Sequence, residues 1–300
     1  MQGSGTISDP YIITNASELW SMPDYGDSSL YYALGCDIDL NGCFRNGNVT
    51  PIPLECAGLD GRGHRIRNLY MNDQTSELSA FLIYNTCREI TIKDLIIENF
   101  KIAANKFSFF AGSNCNIRLY NCTIGAHIRA NTNPASRSSF MSKNTVYIHA
   151  ELCSFILRFF INTMFNVFVD AELKRCQVRS ELICNNLPSQ SASYDRYFMS
   201  YSTVNDCIFV IDLKPLTITT TLKYFLNLIL CTIQNSYFDF SSSDTTQFMW
   251  NNIPNTTCFC IARTPDTTTY TGATRAYILT EAQAKDASYL ESIGFDVTEE

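Results

Sequence analysis

The sequence predicts an all-β fold, a single-stranded right-handed parallel β-helix (solenoid) with an N-terminal cap and a short C-terminal capping helix. Three observations predict it. Short segments recur along the chain, each starting at a Cys or Ser. Within each segment apolar residues fall at every second position, as a strand with one buried face requires. The spacer between segments carries no helical periodicity and is too short for a crossover helix, so strand and turn repeat at a solenoid period.

The repeat is seen by stacking "NCTIGAHI" (121–128), "LCSFILRF" (152–159), "RCQVRSEL" (175–182), "DCIFVIDL" (206–213) and "NSYFDFSS" (235–242). Their anchors are Cys122, Cys153, Cys176, Cys207 and Ser236, spaced by 31, 23, 31 and 29 residues. Cys153, Phe155 and Leu157 alternate, as do Cys207, Phe209 and Ile211. An aromatic series precedes the anchors: Phe109-Phe110, Phe140-Met141, Met164-Phe165, Phe198-Met199 and Phe225-Leu226, with "QFMWNN" and Cys258 reading as one more turn. Polar tracts at 129–139, 185–195 and 212–221 read as the connecting loops. A narrow interior corner favours a small, dense, apolar side chain, which explains a column of cysteines closed by an isosteric serine.

The ends depart from the repeat, as solenoid caps do. "LTEAQAKDASYLESIGF" has helical spacing, with Thr280 and Gln283 as a capping-box pair, Gly294 as the stop, and Leu290 and Phe295 facing inward. The divisions expected are 1–58 for the N-terminal cap and first strands, 59–265 for the coils, and 266–300 for the C-terminal cap with its helix. In "LDGRGHRIRNLYM" (59–71) the glycines make a tight turn into the solenoid, Ile66 with Leu69 or Met71 points inward, and Arg62, Arg65 and Arg67 are solvated.

Bulk properties narrow the function. The chain is 46% hydrophobic, which supports a large core, and its net charge of −7 argues against nucleic acid as a partner. No window resembles a membrane helix, so no membrane insertion is expected. Thirteen cysteines is an odd number, spread over strand-like settings without paired metal-ligand spacing, so they read as free buried thiols made in a reducing compartment. Cys258-Phe-Cys260 lacks the further ligands a zinc site needs. No metal and no cofactor are expected.

The stretches "GTISDPYIITNASELW" (5–20), "YYALGCDIDLNG" (31–42), "LDGRGHRIRNLYM" (59–71) and "ITIKDLIIENFKI" (90–102) resemble GLUG-type parallel β-helix proteins of bacterial surfaces and phage virions. The resemblance implies an initial strand and short helix, a first coil, the turn and then the coils, and it implies a surface or tail and fibre-like role. This chain departs from the family pattern at "SAFLIYNT" (79–86), where a Gly-Leu-Phe-Gly type sequence is usual. Its N-terminus shows no basic and apolar secretory signal, which suits a virion component made in the host cytoplasm; the bacterial cell surface is the alternative.

Candidate sites follow from the register. His64 is a candidate general base, but the glycine turn around it favours a structural role, and Asp60 before Gly61 reads as a turn former. Five positions after each anchor the side chain points outward, giving His127, Arg158, Glu181, Asp212 and Ser241. Neighbouring coils lie about 4.8 Å apart, which brings Glu181 and Asp212 near the separation used by retaining glycosidases, while Arg158 beside Glu181 suggests a solvated ion-pair ladder. Arg158, Glu181 and Asp212 are therefore the candidate ligand-binding residues, and no residue is assigned a catalytic role. Three positions after the anchors Ile156 and Val210 face out, with Ile208 nearby, as a contact for a covering loop or for a partner chain, as in a homotrimer. The function expected is a non-enzymatic attachment protein, a phage tail or fibre component binding a host glycan or other virion subunits. A polysaccharide depolymerase and a bacterial adhesin are the alternatives.

Overall fold

The structure, a computed structural model, describes residues 1–22, 27–40, 51–83, 89–112, 115–130, 141–143, 146–161, 166–184, 197–215, 226–229, 231–234, 236–242, 248–251, 258–262, 269–270, 276–278, 283 and 286–292. Among these, the chain forms a parallel β-solenoid built from three sheets, and every ladder joining its strands is parallel. Sheet 1 has nine strands, including Glu89–Lys93, Cys115–Tyr120, Val146–Glu151, Ala171–Lys174 and Thr203–Asn205. Sheet 2 has thirteen, including Ile96–Ala111, Thr123–Ala130, Ser154–Ile161, Gln177–Cys184, Ile208–Pro215 and Ser236–Ser242. Sheet 3 has five, from Asn166–Val169 to Thr269–Tyr270.

Alternation fills the interior. Cys115–Tyr120 and Val146–Glu151 bury every second residue. In sheet 2 the register runs Ile124, Phe155, Val178, Phe209, Phe238, all of them buried. Phe209 and Phe238 stack with ring centroids 4.4 Å apart and planes 3° from parallel, as in-register coils impose on identical side chains. Each coil supplies one layer of this core, and none could bury its own face alone.

The corner between sheets 1 and 2 explains the cysteine column. The residue before each of the four cysteine anchors has positive φ: Asn121 (50°), Leu152 (56°), Arg175 (50°) and Asp206 (53°), as has Asp94 (50°) one coil earlier. That left-handed residue turns the strand sharply and its N–H donates to the next coil's carbonyl two residues before the anchor, as Asp94 N–H to Tyr120 O (3.0 Å) and Arg175 N–H to Asn205 O (3.0 Å), which leaves that oxygen a second lone pair. The anchor side chain takes it up: Cys122 Sγ donates to Tyr120 O (3.3 Å), Cys153 to Glu151 O (3.3 Å), Cys176 to Lys174 O (3.3 Å) and Cys207 to Asn205 O (3.1 Å). Ser236 Oγ donates likewise to Gln234 O (2.7 Å). The same atoms accept from the preceding coil, Cys176 N–H reaching Cys207 Sγ (3.3 Å) and Cys207 N–H reaching Ser236 Oγ (3.1 Å). The corner thus selects a small side chain that is both donor and acceptor, not merely a small apolar one.

At the N-terminal end, the helix Ala16–Trp20 is capped by Asn15, whose side chain accepts from Glu18 N–H, and buries Leu19 and Trp20. At the other end lies the helix Ala287–Ser292, with Asp286 accepting from Tyr289 N–H (3.1 Å). Thr280, Gly294 and Phe295 lie outside the described residues.

The aromatic series needs correction. Sheet 3 pairs Phe168 with Met199, Met199 with Leu228 and Leu228 with Trp250. Phe140, Met164, Phe165 and Phe225 lie outside the described residues. The sequence alignment of Met164-Phe165 with Phe198-Met199 is therefore shifted by three residues from the observed register. Loops of unequal length separate sheet 3 from the preceding corner, so its register follows from the next anchor.

Candidate functional site

The outward faces of sheets 1 and 2 carry the polar side chains. On sheet 2, Lys101, His127, Arg158, Glu181, Asp212 and Ser241 occupy successive coils in one in-register column. The three predicted residues are thus consecutive. Arg158 Nε lies 2.7 Å from Glu181 Oε2, an ion pair without the alignment of a good hydrogen bond. The Arg158 guanidinium also sits 5.4 Å from the Phe160 ring centroid, two residues along the same face. His127 titrates below its ordinary value, first because of burial and then because of repulsion from Arg158 and Lys101 on either side, with Glu181 opposing.

One column over, Gly125, Ile156, Arg179 and Val210 are in register. Ile156 is 52% and Ile208 45% exposed, so these apolar side chains face outward as the alternation requires.

Sheet 1 holds a feature that the sequence reading missed. A cleft of about 320 Å³ opens on its outer face, lined by Arg118, Tyr120, His149, Glu151, Glu172 and Lys174 among others. Arg118, His149 and Glu172 form one in-register column, and Tyr120, Glu151 and Lys174 the next. His149 Nδ1 lies 2.8 Å from Glu172 Oε2, which leaves Nε2 free to meet a ligand. Lys174 Nζ pairs with Glu151 (2.9 Å) and Arg118 with Glu89 (3.1 Å). Tyr120 is 45% exposed. The signal was present in the sequence: counting four and two residues back from Cys122, Cys153 and Cys176 gives these two columns.

His64 belongs to the turn. Arg62 and Gly63 have positive φ, His64 N–H donates to Gly61 O (2.8 Å), and a Cβ on Gly61 would fall 2.4 Å from Asp94 O. Asp60 accepts from Arg62 N–H (2.9 Å), and Ile66, Leu69 and Met71 are buried. Arg65 and Arg67 are not merely solvated: they pair with Glu98 (3.0 Å) and Asp39 (3.2 Å).

The described stacked thiols are free and buried. Hydrogen bonds to neighbouring thiols, and burial after them, push Cys153 and Cys207 up, which disfavours the nucleophilic thiolate there. Among the described residues no group of three or more His, Cys, Asp or Glu could hold a metal ion, and no helix is long and apolar enough to cross a membrane.

The fold and its two outward faces define the class, a parallel β-solenoid displaying polar side chains in ladders. No protein-family model matches the chain, and no curated protein matches it. Among solved structures it is similar to a Bacteroides ovatus protein provisionally named an immunoglobulin A1 protease, with 14% identity and a TM-score of 0.42 over 97% of this chain and 90% of that one.

Proposed function

We propose that the protein is a non-enzymatic attachment protein that holds a surface glycan against the outer faces of its solenoid, as a tail or fibre component of a phage virion. The bacterial cell surface is the alternative setting. The observation that supports this reading is the sheet 1 cleft, where the exposed ring of Tyr120 stands beside charges that are already paired. An aromatic face packs on the C–H face of a sugar, and paired carboxylates and cations offer fixed acceptors and donors to its hydroxyls without a net charge to repel it. Arg158, Glu181 and Asp212 extend the polar contact surface onto sheet 2, and exposed Ile156 and Ile208 with Val210 offer an apolar contact to a second copy or another virion subunit.

Calorimetric titration with a panel of neutral oligosaccharides tests the reading. Binding is expected, with Tyr120→Ala weakening it about tenfold, as for removal of an interfacial aromatic anchor. An absence of binding to neutral and acidic glycans alike overturns attachment, and indifference to Tyr120→Ala overturns the sheet 1 cleft as its site.

A second reading, polysaccharide cleavage, draws on the in-register opposition of Glu181 and Asp212 on adjacent coils. Against it, the Glu181 carboxylate is engaged by Arg158 at 2.7 Å. A fall in polysaccharide viscosity on adding protein, abolished by Glu181→Gln, would replace attachment by catalysis.

A further inference from the structure

The two outer faces treat charge differently. On sheet 1, Lys93, Arg118, His149 and Lys174 each meet an acidic side chain between neighbouring coils. On sheet 2, Arg65 and Arg67 in the early coils do the same. Beyond them the pattern breaks. Lys101, Arg129 and Arg179 are exposed and make no ion pair among the described residues, and Arg158 alone has Glu181.

These four cations are neighbours. Lys101, His127 and Arg158 step along three successive coils; Arg129 lies two residues beyond His127 and pairs in register with Phe160; Arg179 follows Ile156 in the adjoining column. Gly125, in register with Ile156 and packed beside the Ile97–Glu98 backbone, contributes no side chain to the face beside His127. A protein with a net charge of −7 that gathers unpaired cations on one strip creates a local positive field against its own overall sign. His127 senses that field, since Arg158 and Lys101 both oppose its protonation.

We propose that the outer face of sheet 2 over Lys101, Arg129, Arg158 and Arg179 binds an acidic polysaccharide, whose carboxylate or sulfate groups lie against these cations. This rests on the reading that the solenoid faces hold a glycan, and adds its charge class. The coil step of about 4.8 Å is close to the length of one pyranose ring in an extended chain, so successive sugars meet successive coils. Phe160, half-buried and under the Arg158 guanidinium, gives the chain an apolar surface between the charges. Glu181 and Asp212 close the strip at one end and repel a polyanion there, which sets where the acidic segment stops.

The test compares the full chain with heparin, polygalacturonate, neutral dextran and oligothymidylate by surface plasmon resonance at low and physiological salt. Binding to heparin, polygalacturonate or both is expected, and which of them binds distinguishes sulfate from carboxylate. Affinity falls about tenfold with the added salt, as screening requires. Lys101→Ala, Arg129→Ala and Arg179→Ala combined weaken it by about tenfold more, whereas Arg65→Ala with Arg67→Ala, an equal kind of charge removal nearby, does not. The His127 titration midpoint, followed by NMR, moves up on adding the acidic polymer. Equal binding of dextran, tighter binding of oligothymidylate, or indifference to the triple substitution overturns the proposal. If neutral oligosaccharides bind through Tyr120 while acidic polymers do not, the strip proposal fails and attachment stands; if nothing binds, both fail.

Discussion

Sheets 1 and 2 share the same coils and the same spacing, yet the cations of sheet 1 are neutralised pair by pair, whereas on sheet 2 beyond Arg65 and Arg67 only Arg158 has an acidic partner among the described residues. Parallel in-register coils place like positions within reach of each other, and this is true of both sheets. Lys174 therefore finds Glu151 and His149 finds Glu172, while His127 finds Lys101 on one side and Arg158 on the other. Exposed ion pairs contribute little to stability, so folding does not compel either arrangement. The difference teaches that a solenoid face is a display whose charge pattern is set by sequence with small consequence for the scaffold.

That view requires the scaffold to depend on the shared corner and not on the faces. Cys207→Val should have the largest effect. It removes one of the two donors to Asn205 O, which keeps Arg175 N–H (3.0 Å), and it removes the acceptor for Cys176 N–H, leaving that buried donor unpaired at a loss of about 2 kcal/mol in urea unfolding. Cys207→Ser, which copies the arrangement at Ser236, should lose less than half of that. Equal losses for both would break the comparison, because the corner would then need volume and not hydrogen bonding.

Leu152→Asn should stabilise by about 1 kcal/mol in the same assay, since Leu152 holds φ of 56° and is 37% exposed. Asn121 at the equivalent position already donates to Asp94 Oδ1 (2.6 Å). On the faces themselves smaller effects are expected. Glu151→Lys sets two ammonium groups side by side on sheet 1 and should destabilise by about 0.5 kcal/mol, whereas Lys101→Glu on sheet 2 should stabilise by a few tenths, about 0.3 kcal/mol. If both are destabilising, the cations of sheet 2 have partners that keep the fold.

The last expectation concerns pH. His127 in the folded chain binds its proton less readily than the ordinary imidazole of pKa 6.5. Between that value and the lowered one the unfolded chain carries a proton that the folded chain refuses, so stability falls as pH drops through this window and levels below it. His127→Gln should remove that part of the pH dependence, and Lys101→Glu should shrink it, both seen by thermal unfolding on either side of the window.

Much of the fold was legible because Cys122, Cys153, Cys176, Cys207 and Ser236 mark a corner with strict chemical demands. A count from those anchors gave the column of Arg158, Glu181 and Asp212 in the register that the ladders adopt. Counting only forward left sheet 1 unread, although its side chains sit at fixed positions before the same anchors. Sheet 3 was misaligned because its distance from the preceding anchor varies with loop length, while Phe168, Met199 and Leu228 each stand eight residues before the next one. Hydrogen-bonding demand at the corner was not legible either, since the positive φ of Leu152 and Arg175 has no composition signal.

The corner has one more consequence. Each anchor resets the register, so whatever length of loop is spliced in afterwards, the next strand begins from the same zero. A stretch cut from one anchor to the next, such as the 31 residues from Cys176 to Cys207, is then an interchangeable part with matching ends. Exchanging such stretches would lengthen, shorten or replace display surface, and each product would still meet its neighbours through the same corner hydrogen bonds.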